Sequence, residues 1–294
     1  MPSISICIPA YNEESNIANL LDSLTHQVTF QIKINQIVVI SSGSTDQTNN
    51  IVRNFSKKDS RIKLIRQDKR AGKVSAINEF LKVADGDFLV LESADTIPDK
   101  QTIERLCLPL THKKIGMTGA HPIPVNDQNN FLGYASHLEW ALHDRISIRR
   151  PKCGELVAFK KLFDTLPIDV AVDEAWIEYE IAKRNYEIVY VPEAIVYNKG
   201  PETINDFLKQ RRRIACGHID LEQRAKFDVA SSQLSPLLLS MIDVFPVKEP
   251  KKMFFFISAV VLEGVSKFLG YYDYYTKKEK HAIWDISKTT KVLV

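Results

Sequence analysis

Leu89-Val90-Leu91-Glu92-Ser93-Ala94-Asp95-Thr96 begins as an apolar run and ends on a carboxylate. It follows the turn-forming Asp85-Gly86-Asp87. A short apolar run bounded by turn residues reads as a buried strand, here a central strand of a parallel sheet. In open α/β sheets ligands bind just past the carboxyl ends of the strands. Asp95 is then placed to hold a divalent cation against a diphosphate. The plainer role for an Asp at this point is to cap the turn or helix before Pro98.

Upstream, the chain alternates strand and helix. Ser3–Ile8 reads as a strand and Pro9-Ala10-Tyr11-Asn12-Glu13-Glu14 as the loop after it. Ile17, Leu20, Leu21 and Leu24 recur at helical spacing. Ile37–Ile40 is a second strand, turned by Ser41-Ser42-Gly43. Ser44 and Gln47 have the spacing of a capping box, ahead of a helix with Thr48, Ile51, Val52 and Phe55 on its apolar face. Ile62–Ile65 is a third strand. A helix through Val74, Ile77 and Leu81 follows Lys69-Arg70-Ala71-Gly72-Lys73. This order predicts an α/β fold with a doubly wound, mostly parallel sheet. Right-handed crossovers then gather Pro9–Glu13, Ser41–Ser44 and Ser93–Asp95 on one rim. There is no GxGxxG after the first strand and no Walker A motif, so dinucleotide and P-loop binding are not indicated.

Past residue 100 the alternation weakens. Ile115–Thr118 and Gly154–Phe159 read as strands, and Phe131–Ile148, Val172–Ile181 and Ile204–Leu221 as helices. Ile188–Val191 and Ala194–Tyr197 read as two strands broken by Pro192. The tail is apolar at Leu234–Leu239 and Met253–Leu262. A membrane-spanning helix needs about 20 apolar residues, and Glu263 and Lys267 interrupt the second run. Lys248, Lys251, Lys252, Lys277, Lys278 and Lys280, with Tyr271, Tyr272, Tyr274 and Tyr275, suit a helix lying at a bilayer surface. The same run is suited to packing on a core or to building a homodimer. Two parts are expected: residues 1–222 as the main domain and 223–294 as a helical appendage.

The chain's 294 residues suffice for a sizeable core, and its net charge of +3 is too small to argue for nucleic acid. Cys7, Cys107, Cys153 and Cys216 are scattered, which speaks against a zinc site or a disulfide framework and fits a reducing compartment. The N-terminus enters a strand directly, with no signal peptide evident.

Pro9-Ala10-Tyr11-Asn12-Glu13-Glu14, Gly43-Ser44-Thr45-Asp46, Gly72-Lys73 with Ala76-Ile77-Asn78, Ala94-Asp95-Thr96, Asp173-Glu174 and Gln210-Arg211-Arg212-Arg213 resemble, in this order, the motifs of family 2 glycosyltransferases. The resemblance covers roughly residues 3–220. It implies a GT-A fold, a nucleotide-diphospho-sugar donor of UDP or GDP type, and inversion at the anomeric carbon. Pro9, Ala10, Tyr11 and Glu13 would line the base and ribose pocket, with Ser42 beside them. Lys73 and Arg213 would meet the diphosphate, Ala94 and Gln210 would also contact the nucleotide-sugar, and Asp95 would hold Mg2+ or Mn2+ against the diphosphate. Glu174 is the expected general base, with Asp173 next to it. Gly154, Glu155 and Trp140 would face the acceptor, a lipid-linked compound or a glycan. His137 and Glu139 share that helix, where packing is the alternative role.

The resemblance has gaps. Ser41-Ser42 stands where the family usually has paired Asp, one of which reads uracil, so the nucleotide need not be UDP. Ser93 replaces the first acid of the DxD motif. Ile214 stands in place of the tryptophan of Q-x-x-R-W, which favours transfer of a single sugar. The expected place of action is the cytoplasmic face of a membrane, as a peripheral protein. Two other readings are a polyprenyl-phosphate sugar synthase, whose acceptor needs no base, and a non-catalytic nucleotide-sugar-binding subunit.

Overall fold

Alternation along strand β1 (Ser3–Ala10) sends Ile4, Ile6 and Ile8 to one face of a sheet and Cys7 to the other, and both faces are buried. The computed structural model describes residues 1–230, 233–283 and 288–290; of the expected appendage, 231–232, 284–287 and 291–294 lie outside the described residues. In chain order the elements are β1, α1 (Ile17–Thr25), β2 (Lys33–Ser42), α2 (Thr48–Ser56), β3 (Ile62–Gln67), α3 (Lys73–Val83), β4 (Phe88–Glu92), β5 (Ile97–Pro98), α4 (Thr102–Cys107), β6 (Ile115–Pro124), α5 (Phe131–Arg149), β7 (Leu156–Lys160), α6 (Asp173–Ala182), β8 (Glu187–Asn198), α7 (Ile204–Ala225), α8 (Leu234–Asp243) and α9 (Pro250–Tyr272).

The strands form one eight-stranded sheet in the order β3-β2-β1-β4-β7-β6-β8-β5. Helices α1, α2 and α4 cover the face of Ile6 and Val90. Helices α3 and α6, with the end of α7, cover the face of Cys7 and Leu91. Gly86 permits the tight entry into β4: a Cβ there would lie 2.5 Å from the Ser5 nitrogen.

Strand β4 is central but not wholly in a parallel setting. It runs parallel to β1 and antiparallel to β7, and β7 is also antiparallel to β6. The last residue of β4, Glu92, pairs with the first of β7, Leu156. The segment leading into β7 therefore lies beside the loop leaving β4. That places Glu155 next to Ser93–Asp95, which a purely parallel sheet would not do.

Two local expectations are corrected. Pro192 does not divide two strands; β8 is continuous, and its register with β6 jumps from Gly119–Tyr190 to His121–Ile195, so the proline falls in a bulge. Ser44 and Gln47 form no capping box. Asp46 Oδ1 accepts from the Thr48 amide at 3.0 Å, while the Ser44 hydroxyl reaches across to accept from the Asn12 amide at 3.1 Å. Joining two rim loops outcompetes the local cap.

Helix α7 runs across residue 222 to Ala225 and carries the tail. Arg212 forks onto Asp273, which is fully buried and also meets His281 Nε2 at 3.0 Å. The Cys216 thiol donates to the Glu279 carbonyl at 3.1 Å. Helix α9 packs Phe256 and Ala259 against Tyr134, Ala135 and Leu138 of α5. Its other side exposes Phe254, Ile257, Val261 and Phe268. By length and composition alone, the helical stretch Pro250–Lys277 is long and apolar enough to cross a membrane. Glu263, which interrupts the apolar run, turns inward to Arg211 at 2.7 Å.

Glu92 is fully buried. Its Oε1 accepts the Thr96 hydroxyl and its Oε2 has no partner among the described residues. Burial pushes its carboxyl up to about 8 in spite of the Thr96 hydrogen bond, and the charges of Glu155 and Asp95 add to the rise. In the unfolded chain the group titrates near the ordinary 4.5. Between those values the folded chain binds more protons, so this group makes stability fall as pH rises from 4.5 to about 8. Glu92→Gln keeps the shape and the acceptor while removing the ionisation. Its melting temperature should exceed wild type by several degrees (about 3–6 °C) at pH 8, with the gap closing toward pH 4.5; a pH-independent gap in circular-dichroism melts would contradict this account. Separately, Arg212→Ala removes the fork on Asp273. Trypsin should then cut at Lys277, Lys278 or Lys280 at least roughly tenfold faster, with the sheet domain intact.

Candidate active site

The rim loops are tied together before any ligand is considered. Asn12, in the left-handed region at φ 53°, accepts from the Thr45 amide at 2.8 Å, and the Glu13 amide donates to the Thr48 hydroxyl at 2.8 Å. The Ser42 hydroxyl accepts from the Ala71 amide at 2.9 Å, which fixes the loop ahead of Lys73. Arg70, a residue of no recognised motif, lies over the Tyr11 ring at 4.2 Å. Ser41 keeps a buried hydroxyl without a partner among the described residues.

Lys73 opens α3 and crosses the rim to the start of α6. Its ammonium lies 2.9 Å from Asp173 Oδ2 and 2.7 Å from Glu174 Oε1. The lysine thus clasps the two acids. Burial works against its charge, but Asp173 and Glu174 more than offset that and hold it protonated. The two acids differ. Burial and the charge of Glu174 push Asp173 up to about 6. Burial also acts on Glu174, yet Lys73, its own backbone amide and Arg213 hold it below the ordinary range. Glu174 is therefore the more acidic member of the pair and stays ionised to lower pH than Asp173.

Burial raises the Asp95 carboxyl. Glu155, in the left-handed region at φ 58°, is pushed up to about 7 by burial and by the charges of Asp95 and Glu174. It accepts from the Asn198 side-chain amide at 3.3 Å. Two carboxylates that disfavour each other's charge, with the unpartnered Glu92 Oε2 behind them, suit a hard divalent cation that takes oxygen ligands. Asp273, Glu279 and His281 are a second cluster of ligand type in the tail, but Asp273 already carries the Arg212 guanidinium.

The arginines of Gln210–Arg213 point three ways. Arg211 pairs with Glu139 and Glu263, Arg212 with Asp273, and Arg213 donates to the Ala171 carbonyl at 2.8 Å while facing Asp173, Glu174 and Glu155. Gln210 lines the cavity with an Oε1 that has no partner among the described residues. Trp140 stands edge-on to His143 at 5.1 Å, and its ring lies 3.6 Å from where a Gly154 Cβ would be. His137 does not reach the cavity; its Nε2 meets the Asn126 carbonyl at 2.9 Å. Glu139 does line it, held by Arg211.

A single cavity of about 1190 Å3 brings the expected residues together. Pro9, Ala10, Tyr11, Glu13, Ser42, Lys73, Ala94 and Asp95 line one end, with Asp173, Glu174, Glu155, Gly154 and Arg213, and Trp140 and Gln210 line its continuation between α5 and α7. Lys152, just ahead of Gly154-Glu155, also lines it, as do Glu178 and His218, which no spacing rule in the sequence marks.

Residues 5–170 match the family described as Glycosyl transferase family 2, and residues 90–262 the one described as Glycosyl transferase family group 2. The poly-beta-1,6-N-acetyl-D-glucosamine synthase of Staphylococcus aureus (strain COL) is 24% identical over 256 residues, covering 83% of this chain and 61% of that protein. The protein of the same name from Staphylococcus epidermidis is 26% identical over 230 residues, covering 73% and 54%. The chain thus spans about 61% of the length of the first of these relatives. Among solved structures, the mannosyltransferase PcManGT of Pyrobaculum calidifontis, in complex with GDP-Man and Mn2+, aligns with a TM-score of 0.62 at 20% identity, over 94% of this chain and 81% of that one. Glucosyl-3-phosphoglycerate synthase of Mycobacterium tuberculosis, in complex with Mn2+, UDP and phosphoglyceric acid, aligns at 0.55 and 19%, over 76% and 78%. These likenesses establish the fold, a mixed α/β sheet of GT-A type. With more than half of its length matched by the first of these families, the chain belongs to glycosyl transferase family 2.

Proposed function

We propose that the chain is an inverting glycosyltransferase that moves one sugar from a UDP- or GDP-type donor to a hydroxyl of a lipid-linked or glycan acceptor. The observation that carries this is the Lys73–Asp173–Glu174 clasp opening onto the same cavity as Asp95. Tyr11, Ser42 and their neighbours form the nucleoside end. Asp95, with Glu155 beside it, would hold Mg2+ or Mn2+, and the bound cation would neutralise the leaving diphosphate. The solved relatives named above were captured with Mn2+ and a nucleotide or nucleotide-sugar, which supports this assignment.

An acceptor hydroxyl is a poor nucleophile at neutral pH. Glu174, ionised beside Lys73 and Arg213, is the group to take its proton as the bond to the anomeric carbon forms. Lys73 has two calls on it, the acid pair and an incoming diphosphate. A donor that draws Lys73 away leaves Glu174 a stronger base when the sugar is in place. Ile214 lines the cavity where the family's tryptophan would stand, which supports single transfer. The relatives are named as synthases of a polymer, so product length on an oligosaccharide primer is the direct check.

The unit of residues 1–222 would perform the transfer, and 223–294 would set it on the cytoplasmic face of a membrane. The exposed Phe254, Ile257, Val261 and Phe268 of α9, flanked by Lys251 and Lys252, support that placement.

Calorimetric titration with UDP, GDP and dTDP, each with and without Mn2+, should show one nucleotide binding in a metal-dependent way, and Asp95→Ala should abolish it. No binding of any nucleotide by folded wild type would instead support the non-catalytic reading. Glu174→Gln should lower transfer about 100- to 10,000-fold while leaving nucleotide binding intact; intact transfer would favour a phosphate acceptor that needs no base. In liposome flotation the wild-type chain should float, and the triple variant Phe254→Glu, Ile257→Glu, Val261→Glu should not. Equal behaviour of the two would end the membrane assignment, and a dimer lost in the variant would give the apolar face to a second copy.

A further inference from the structure

The cavity is longer than a donor needs. Beyond Glu174 it continues between α5, α7 and α9, and this inner half is lined by both basic and acidic side chains. Lys152, His218 and Lys267 line it, and their side chains make no hydrogen bond or ion pair with any described residue. The acids in reach of Lys152 are Glu139, Glu263 and Glu178. Glu139 and Glu263 both grip Arg211. Glu178 accepts from the Cys153 amide at 2.6 Å. Each acid thus has its own partner, and Lys152 has a counter-charge nearby but none in contact. His218 sits among four cations, Lys152, Arg211, Lys267 and Arg213, and burial together with their repulsion keeps its ring neutral, able to donate one N–H.

Lys152 and His218 are half-buried and Lys267 is exposed. Holding an ammonium group such as that of Lys152 partly out of water with no partner in contact is costly, and such groups are kept where a ligand supplies the missing charge. Position adds to this. The Cys153–Glu178 hydrogen bond sets Lys152 against Glu178, and Glu178 follows Glu174 by one helical turn, about 6 Å along the axis of α6. Trp140 and His143, packed against Gly154, wall the space alongside.

We propose that this inner half is an anion subsite, in which Lys152, His218 and Lys267 hold a phosphate group carried by the acceptor, one helical turn from the hydroxyl presented to Glu174. The inference rests on the transferase reading and specifies its acceptor. A neutral glycan would leave the half-buried Lys152 ammonium without a counter-charge in contact. The phosphate can come from a lipid headgroup, which would enter past the exposed apolar side of α9, or from a soluble phosphorylated compound.

The test is calorimetric titration of the full chain, pre-saturated with its nucleoside diphosphate and Mn2+ so that the donor end is filled. The probes are farnesyl phosphate, farnesol and inorganic phosphate. Farnesyl phosphate should bind, farnesol should not, and Lys152→Ala should weaken farnesyl phosphate at least about tenfold while Lys152→Arg retains it. Displacement of farnesyl phosphate by equal concentrations of inorganic phosphate would assign the subsite to soluble phosphates; failure to displace it would assign it to lipid headgroups. Equal binding by wild type and Lys152→Ala, with nucleotide binding intact in both, overturns the proposal and leaves the transferase reading standing, as does equal binding of farnesol. Absence of nucleotide binding to wild type is a separate failure, that of the transferase reading.

Discussion

An ammonium held between two carboxylates joins the two halves of this molecule. Lys73 belongs to the early, regular part of the fold, and Asp173 and Glu174 lie about a hundred residues later, on a helix reached only after the sheet has changed direction. In a site removed from bulk water no one of these charges is tolerable alone, and together they are. The clasp fixes where α6 begins relative to α3. It also sets the two acids apart, one pushed toward its neutral form and the other held ionised. The division of labour between neighbouring, chemically similar side chains thus follows from which oxygen the lysine approaches and which backbone amides lie behind it.

The sheet supplies the geometry. An all-parallel arrangement would deliver loops to the rim but no strand start there. Because β7 runs against β4, the rim also receives the segment entering a strand, and Glu155 arrives beside Asp95 by that route. The family's usual first acid of the metal motif is Ser93 here, and the carboxylate that faces Asp95 comes from the neighbouring strand's entrance. Its left-handed backbone is part of making that turn into β7.

Much of this was legible before any coordinates. The period-two and helical patterns of residues 3–92 place the first four strands and three helices, because local burial decides them. The motif order also singles out residues that line one cavity. What the sequence does not carry is partnership. The apolar look of Leu156–Lys160 is the same for either strand direction. Pro192 looks like a break because a bulge is defined by the partner strand, β6, and not by the residues around the proline. Ser44 matches a local cap but prefers a loop distant in sequence. His218 and Glu178 belong to no motif, and only the packing of α5, α6 and α7 reveals that they share a space with Lys152.

Helix α7 turns three successive side chains toward three different bodies. Arg211 grips α5 and α9, Arg212 the segment after α9, and Arg213 the loop and acids at the head of α6. Successive residues of an α-helix are about 100° apart around its axis. The helix therefore has a single azimuth at which all three contacts close. One residue inserted between Ile204 and Gln210 would turn the whole arginine set by that angle and misalign every contact at once, whereas an insertion after Arg224 would leave them in phase. The spacing from the start of α7 to its arginines is in this sense a length standard for the molecule, and natural or engineered variation in chain length should collect outside it.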